Sequence, residues 1–422
     1  MRFKMFKNTV LFFVLVAISC GSKTKNDVSS NDEILKHTQN DKTVTIGANR
    51  TEQYLPLLQD KRVGIVANQT SVLSVMQRKA DTSTMGSERV QHHLVDYLHN
   101  YKAITVAKVF APEHGFRGTA DAGELVKDGK DIKTGLQIYS LHGKHKKPTK
   151  AQLDDIDIMV FDIQDVGVRF YTYISTLHFV MEACAEQNIP LIILDRPNPN
   201  GNYIDGPVLE KKHSSFLGMH PIPLIHGMTM GEYAKMINGE AWLNDGITCQ
   251  ITVIELENYS HESTYSLPIR PSPNLPNDQS ITLYPSLGLF EGTNINAGRG
   301  TEFQFQRYGA PFLDKDYYTF NYTPMANFGA KYPKHKNDTC YGVDLSEINA
   351  ERHFTLSYIM DAYEHSVDKS KFFNTSNFTA HAGTEKLQQQ IEAGLSESEI
   401  KASWTTKLDA YKIMRQKYLL YN

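Results

Sequence analysis

The sequence predicts an α/β fold: a mostly parallel sheet with helices on both faces, followed by a smaller C-terminal α+β domain. Three observations carry this. From Arg62 onward, short β-branched runs alternate with helical stretches, which is the pattern of a parallel sheet covered by helices, Rossmann-like in arrangement. The 422 residues exceed the roughly 250 to 300 at which a single hydrophobic core stops growing, so two domains are expected. An apolar fraction of 41% with 22% charged residues belongs to ordinary globular chains, not to disordered or multi-span membrane ones.

The elements follow in order. Residues 1–20 place Arg2, Lys4 and Lys7 before the apolar run Val10 to Ile18 and then Ser19-Cys20-Gly21-Ser22, a secretory leader. The run is about half the ~20 residues that span a bilayer. A small residue before Cys20 resembles a bacterial lipoprotein processing site. That implies a lipidated Cys20, export to the periplasmic side, and membrane contact through the lipid alone. Ala17 stands where a larger aliphatic residue is commoner, so secretion with cleavage nearby is the alternative. Residues 21–46, rich in Ser, Asn, Asp and Lys, suit a flexible tether.

A first domain is expected over 47–270, with strands Val63–Ala67, Ile104–Phe110, Ile156–Phe161 and Leu191–Leu194 and helices Val90–Asn100 and Tyr171–Gln187. In the second helix Ile174, Leu177, Met181 and Cys184 recur at three- and four-residue steps, one apolar face. Residues 271–422 are expected to hold a long active-site loop and the auxiliary domain. The Pro- and Gly-rich stretch Pro268 to Pro311 is too long for a simple connection, and its aromatic content favours an ordered loop. Ser396 and Glu399 form a capping box, after which Ile400, Trp404, Leu408 and Tyr411 make one stripe. Besides Cys20 the cysteines are Cys184, Cys249 and Cys340, widely spaced, which supports neither a disulfide framework nor a zinc site. Cys184 reads as a buried thiol.

Function classes narrow by exclusion. A net charge of -3 creates no basic field for nucleic acid. No G-x-G-x-x-G follows the first strand, where Asn68-Gln69-Thr70-Ser71 stands instead, so no dinucleotide cofactor is expected. Gly227-Met-Thr-Met-Gly231 has Thr in place of the nucleophilic Ser of an esterase elbow. The 16 His residues show no H-E-x-x-H spacing, so no metal is expected.

In an open parallel sheet the ligand crevice lies beyond the carboxyl ends of the strands. There the sequence places Asn68 and Gln69, then Pro112-Glu113-His114-Gly115, then Asp162-Ile163-Gln164-Asp165, then Asp195-Arg196-Pro197-Asn198. Each alone could cap a turn; together they bring acids and amides to one edge. Cleaving a glycosidic bond needs a protonated acid at the leaving oxygen and usually a second carboxylate across the ring. Glu113 is the natural acid, in a turn where Phe110 and Phe116 would favour its neutral form. A turn ion pair with Arg117 is its structural alternative.

Longer strings carry a family resemblance: Pro112-Glu-His-Gly-Phe-Arg-Gly118, Phe161-Asp-Ile-Gln-Asp-Val-Gly-Val-Arg-Phe-Tyr-Thr-Tyr173, Asp195-Arg-Pro-Asn-Pro199, His226-Gly-Met-Thr229, Pro271-Ser-Pro-Asn274, Glu291-Gly-Thr-Asn294, Gly298-Arg-Gly-Thr301, Gly309-Ala-Pro311 and Tyr418-Leu-Leu-Tyr421. In order and over nearly the whole mature chain, they resemble exo-β-N-acetylmuramidases of the NamZ type. The resemblance implies a cleft between two domains and release of N-acetylmuramic acid from the non-reducing end of peptidoglycan fragments. It places the family's P-E-H-G glutamate on Glu113.

A muramic acid ring carries a lactyl carboxylate, for which Arg169, Arg196 and Arg299 are candidate partners. Tyr171, Tyr173 and Asn294 are candidates for the ring faces or the acetamido group. Asn68, His114, Arg117, Gln164, Asp165, Asp195, Asn198 and His226 complete the candidate substrate contacts. Asp162 is the first choice for second carboxylate, with Glu291 behind it, and the substrate's own acetamide is an alternative nucleophile. Gln306 stands where many relatives are expected to carry Glu, so it receives no catalytic role; Glu302 is discounted as well. Two other classes stay open at this stage: a non-catalytic muropeptide- or sugar-binding lipoprotein, which would return its ligand unchanged, and a deacetylase or esterase, which would release acetate. The oligomeric state is not legible.

Overall fold

The structure, a computed structural model, describes residues 43–78, 87–118, 124 and 127–422; the leader, Cys20 and nearly all of the tether lie outside these. Residues 44–422 form one compact unit.

Nine strands belong to its first half: β1 (Arg62–Ala67), β2 (Val72–Arg78), β3 (Ser87–His93), β4 (Thr105–Ala111), β5 (Gly129–Lys130), β6 (Gln137–Ser140), β7 (Ile158–Asp162), β8 (Leu191–Leu194) and β9 (Ile251–Ile254). Seven of them join in the order β5-β6-β4-β1-β7-β8-β9, and every pairing is parallel except β5 with β6. The chain builds outward from β1 through β4 to β6 on one side and through β7 and β8 to β9 on the other. This is the topological reversal at which open α/β sheets bind ligands.

Side chains alternate across the strands as the pleat requires. Val66, Phe110, Met159, Phe161, Leu191 and Ile193 enter one apolar core. Val63, Ile65, Val109, Val160, Ile192 and Leu194 enter another on the opposite face. Helices cover both. Tyr173–Glu186 packs on the first face through Ile174, Leu177, Met181 and Cys184, each at most 2% exposed. A side chain of Ile, Leu or Met size contributes about 1.5 to 3 kcal/mol when buried this fully. Cys249 beside it and burial push the Cys184 thiol well above its ordinary value, so it is a packing group and not a nucleophile.

The register aligns the strand ends. Ala67 pairs with Asp162, Val66 with Phe110, and Phe161 with Ile193, so the segments after β1, β4, β7 and β8 all emerge at one edge. The C-terminal part adds β10 (Arg307–Ala310), β11 (Phe320–Tyr322) and β12 (Cys340–Asp344), an antiparallel sheet in the order β10-β12-β11, with short helices from Ser357 to Gln416. The first apolar core continues unbroken through Phe290, Tyr308 and Phe354 to Tyr411.

Three expectations are corrected. The helix expected over Val90–Asn100 begins only at Leu94 and ends at His99. Residues before it form β3, paired antiparallel with β2 so that Val75 faces Val90, and a cross-strand partner outweighs weak local helical periodicity. The stretch Pro268 to Pro311 is not all loop, because Asp278–Leu287 is helical, capped by Asn277. Pro285 obscures that helix in the sequence. Its missing N–H would orphan the carbonyl of Ile281, which instead accepts from Asn200 Nδ2 at 3.2 Å. The stripe from Ile400 to Tyr411 belongs to two helices, Glu397–Ala402 and Thr405–Gln416, divided at Ser403 and Trp404. The Ser396–Glu399 capping box is present as expected.

Candidate active site

A cavity of about 110 Å³ opens at the carboxyl edge of the large sheet, near its topological reversal. Its walls come from distant parts of the chain: Glu113 and His114 after β4, Phe170 to Thr172 after β7, Ser272, Asn274 and Leu275, and Tyr284, Glu291, Arg299, Phe305 and His381 from the C-terminal half.

Glu113 sits half-buried in a tight turn closed by Gly115 N donating to the Pro112 carbonyl at 3.0 Å. His114 and Gly115 both have positive φ, 69° and 77°. Glycine takes that conformation freely, whereas a buried His held in it marks a conformation imposed by the surroundings. Thr172 is the N-cap residue of Tyr173–Glu186, yet its side chain makes no cap bond. Its hydroxyl donates to Glu113 Oε2 at 2.8 Å instead, and so orients the carboxyl.

Behind this carboxyl the loop at Pro271 is tied down by Gln69 Nε2 (3.0 Å) and Tyr171 OH (2.8 Å), both donating to the Pro271 carbonyl. Tyr173 OH lies 3.3 Å from the same carbonyl and accepts from Asn68 Nδ2 at 3.0 Å. Asn274 Nδ2 donates to Gly329 O at 2.7 Å, joining this loop to the C-terminal part.

The cavity lining also includes Glu291 and Arg299, paired at 3.2 Å. Burial alone would raise the Glu291 carboxyl, but Arg299 and Lys334 outweigh it and hold the group below its usual value. Arg299 also donates to Gly329 O, and its buried Nε has no protein partner among the described residues. Burial pushes His381 below the ordinary histidine value. Its Nδ1 lies 2.9 Å from the Asn377 carbonyl, a contact only an N–H satisfies, so the neutral ring leaves Nε2 as an acceptor.

Of the sequence candidates, the cavity therefore gathers Glu113, His114, Tyr171, Glu291 and Arg299. Asp162 is not among its lining groups: it is fully buried, with both oxygens held by Arg196 Nε (2.6 Å) and Nη2 (2.9 Å). That pair also occupies Arg196, which adds a bond to Val72 O. Arg169 is fully buried and donates to the carbonyls of Pro207, Ile222 and His381. It ties chain segments together and offers no face to a ligand. Arg117 pairs with Asp96 and Asp131, not with Glu113.

Asp195 accepts from Thr229, Gly231 N and Tyr421. Asn198 and Gln164 bond to the carbonyls of Met228 and Pro197. His226 Nε2 faces Asp165 at 3.6 Å, and both are buried. Asn294 is exposed and donates to Lys371 O. Phe110 packs on Tyr139, and Phe116 packs on His93 and Arg117. The rings that share the cavity with Glu113 are instead Phe170, Tyr171, Tyr284 and Phe305. Thr172, Ser272, Asn274, Tyr284 and His381 carried no assigned role in the sequence reading. Thr172, Ser272 and Asn274 lie inside strings already singled out; His381 had no local signal.

Both halves of the chain are similar to known proteins. Residues 63–279 match the N-terminal model, and residues 282–421 the C-terminal model, of the exo-β-N-acetylmuramidase NamZ family. The chain is 39% identical to the peptidoglycan β-N-acetylmuramidase NamZ of Bacillus subtilis, over 87% of this chain and 89% of that protein. Crystal structures of two DUF1343 family proteins from Bacteroides fragilis superpose over 90% of this chain and 99% of theirs, with TM-scores of 0.79 and 0.72 at 43% and 28% identity. With both halves matched in order and the cavity lying where they meet, the chain belongs to the NamZ family of exo-β-N-acetylmuramidases.

Proposed function

We propose that this protein is an exo-acting glycoside hydrolase that releases N-acetylmuramic acid from the non-reducing end of peptidoglycan fragments, with Glu113 as general acid and Glu291 as the second carboxylate. The observation that carries the assignment is that these two carboxylates line one cavity from opposite halves of the chain. Glu113, oriented by Thr172, hands its proton to the departing sugar oxygen. Glu291, kept ionised by its cationic neighbours, stabilises the positive charge that builds at the anomeric carbon. The Nε–H of Arg299, without a partner among the described residues, suits the lactyl carboxylate that distinguishes muramic acid from other amino sugars. Tyr171 and Tyr284 supply ring surfaces for the sugar.

Mass spectrometry of muropeptide fragments after incubation with the enzyme tests the reading. Free N-acetylmuramic acid is expected; acetate release or unchanged ligand would overturn it. The leader and Cys20 support export and anchoring by a single lipidated cysteine. On that reading a Cys20→Ala form leaves the membrane fraction, and unchanged partitioning would refute the anchor.

A further inference from the structure

We propose that Lys334 is a positioning residue, a built-in cation that shapes the loop presenting Glu291 to the cavity. Its Nζ lies within hydrogen-bond distance of four backbone carbonyls from one short arc: Phe290 (2.8 Å), Glu291 (3.2 Å), Thr293 (2.6 Å) and Ile295 (3.3 Å). An ammonium has three N–H donors, so the four oxygens share them much as they would share a bound metal ion. Carbonyl dipoles converging on one point repel one another unless a positive charge sits at the focus. Two of these carbonyls lie in the 3-10 turn Gly288–Gly292, where Phe290 O also accepts from Thr293 N at 3.0 Å and Thr293 Oγ1 at 2.9 Å, and the carbonyl end of a helical turn favours a cation nearby.

The lysine is itself held from the same loop. Asn296 Nδ2 donates to Lys334 O at 2.9 Å, and His335 Nε2 meets Asn294 O at 2.5 Å. The arc and the lysine therefore fix each other, and Glu291 lies within the arc. On its other side Asn377 Nδ2 donates to the Glu291 carbonyl at 3.0 Å. The Glu291 side chain meets Arg299, and His381 and Tyr284 line the same cavity. The Lys334 charge acts together with Arg299 in holding that carboxyl ionised.

The inference rests on the reading that Glu291 acts in the reaction, and its test separates the two. Lys334→Gln keeps two N–H donors without the charge. Lys334→Arg keeps the charge, but its planar fork cannot converge on four carbonyls. With a chromogenic N-acetylmuramic acid glycoside, the Gln variant should lose roughly 100-fold in kcat, the scale of a misplaced catalytic group, with KM changed far less. The acid limb of its pH profile should move to higher pH. The Arg variant should lose kcat while keeping the acid limb. A lysine that merely stabilised the fold would lower Tm and leave the limb in place; a folded Gln variant with wild-type kcat and pH profile would overturn the proposal.

Amide hydrogen exchange over residues 290–296 gives a readout independent of activity. Protection lost there but kept in β8 supports the cage even if the wild type proves inactive on muramic acid glycosides, a result that would fail the functional reading alone. Unchanged protection would sink the cage.

Discussion

Glu113 and Asp162 each follow or end a parallel strand of the same sheet, yet their surroundings are opposite. Asp162 is sealed from solvent, and a bidentate guanidinium uses both its oxygens. Glu113 is half-buried, meets a neutral hydroxyl at Oε2 and lines a cavity. A strand end brings a carboxylate to the binding edge, and the partners it finds there decide whether it can act on a ligand. The β7 and β8 ends were closed by Arg196, Thr229 and Tyr421, and they lock the sheet to the C-terminal tail. The β4 end lines the cavity.

The sharpest way to break this contrast is to neutralise each acid in turn. Glu113→Gln should lose about 100- to 10,000-fold in kcat on a muramic acid glycoside, the range for removing a general acid, with Tm nearly unchanged. Near wild-type turnover would remove Glu113 from the mechanism. Asp162→Asn should act on stability, costing about 3 to 5 kcal/mol in urea unfolding because Arg196 is left buried without its counter-charge. An unchanged unfolding midpoint would show that the pair is not the lock described.

Asp195 sharpens the contrast through pH. Burial pushes its carboxyl up to about 6, from an ordinary 3.8. The folded state therefore holds this proton more tightly than the unfolded chain. The resulting stabilisation is complete below 3.8 and is lost as pH rises through about 6, on the order of 3 kcal/mol across that window. Urea unfolding of wild type and Asp195→Asn at several pH values should give curves that diverge there, and parallel curves would contradict the assignment. The smallest effect is expected for Thr172→Val, which removes the hydroxyl that orients Glu113: roughly a tenfold fall in kcat, the scale of one hydrogen bond. Equal kcat would mean the turn alone orients the acid.

Much of this was legible in the chain. The strand Leu191–Leu194 was read with its observed ends, and the β-branched runs of β1, β4 and β7 to within two residues, because strands buried on both faces are written as continuous apolar stretches. The helix over Tyr173–Glu186 showed its stripe, and the Ser396–Glu399 box its cap. Strands such as β2 and β3 were not legible, since their partner supplies what local pattern lacks.

The site divides along the same line. By itself the sequence determined the sheet, the edge where ligands bind, the Pro112–Gly115 turn that carries Glu113, and membership of the family, because these depend on local periodicity and contiguous strings. Only the tertiary structure decided that Glu291 and not Asp162 shares the cavity with Glu113, that Arg299 lines it while Arg169 and Arg196 serve the fold, and that Lys334 and His381 stand beside Glu291. Those outcomes depend on which charges and carbonyls meet across long stretches of chain, and a carboxylate or guanidinium carries no mark in sequence of whether a distant partner will neutralise it.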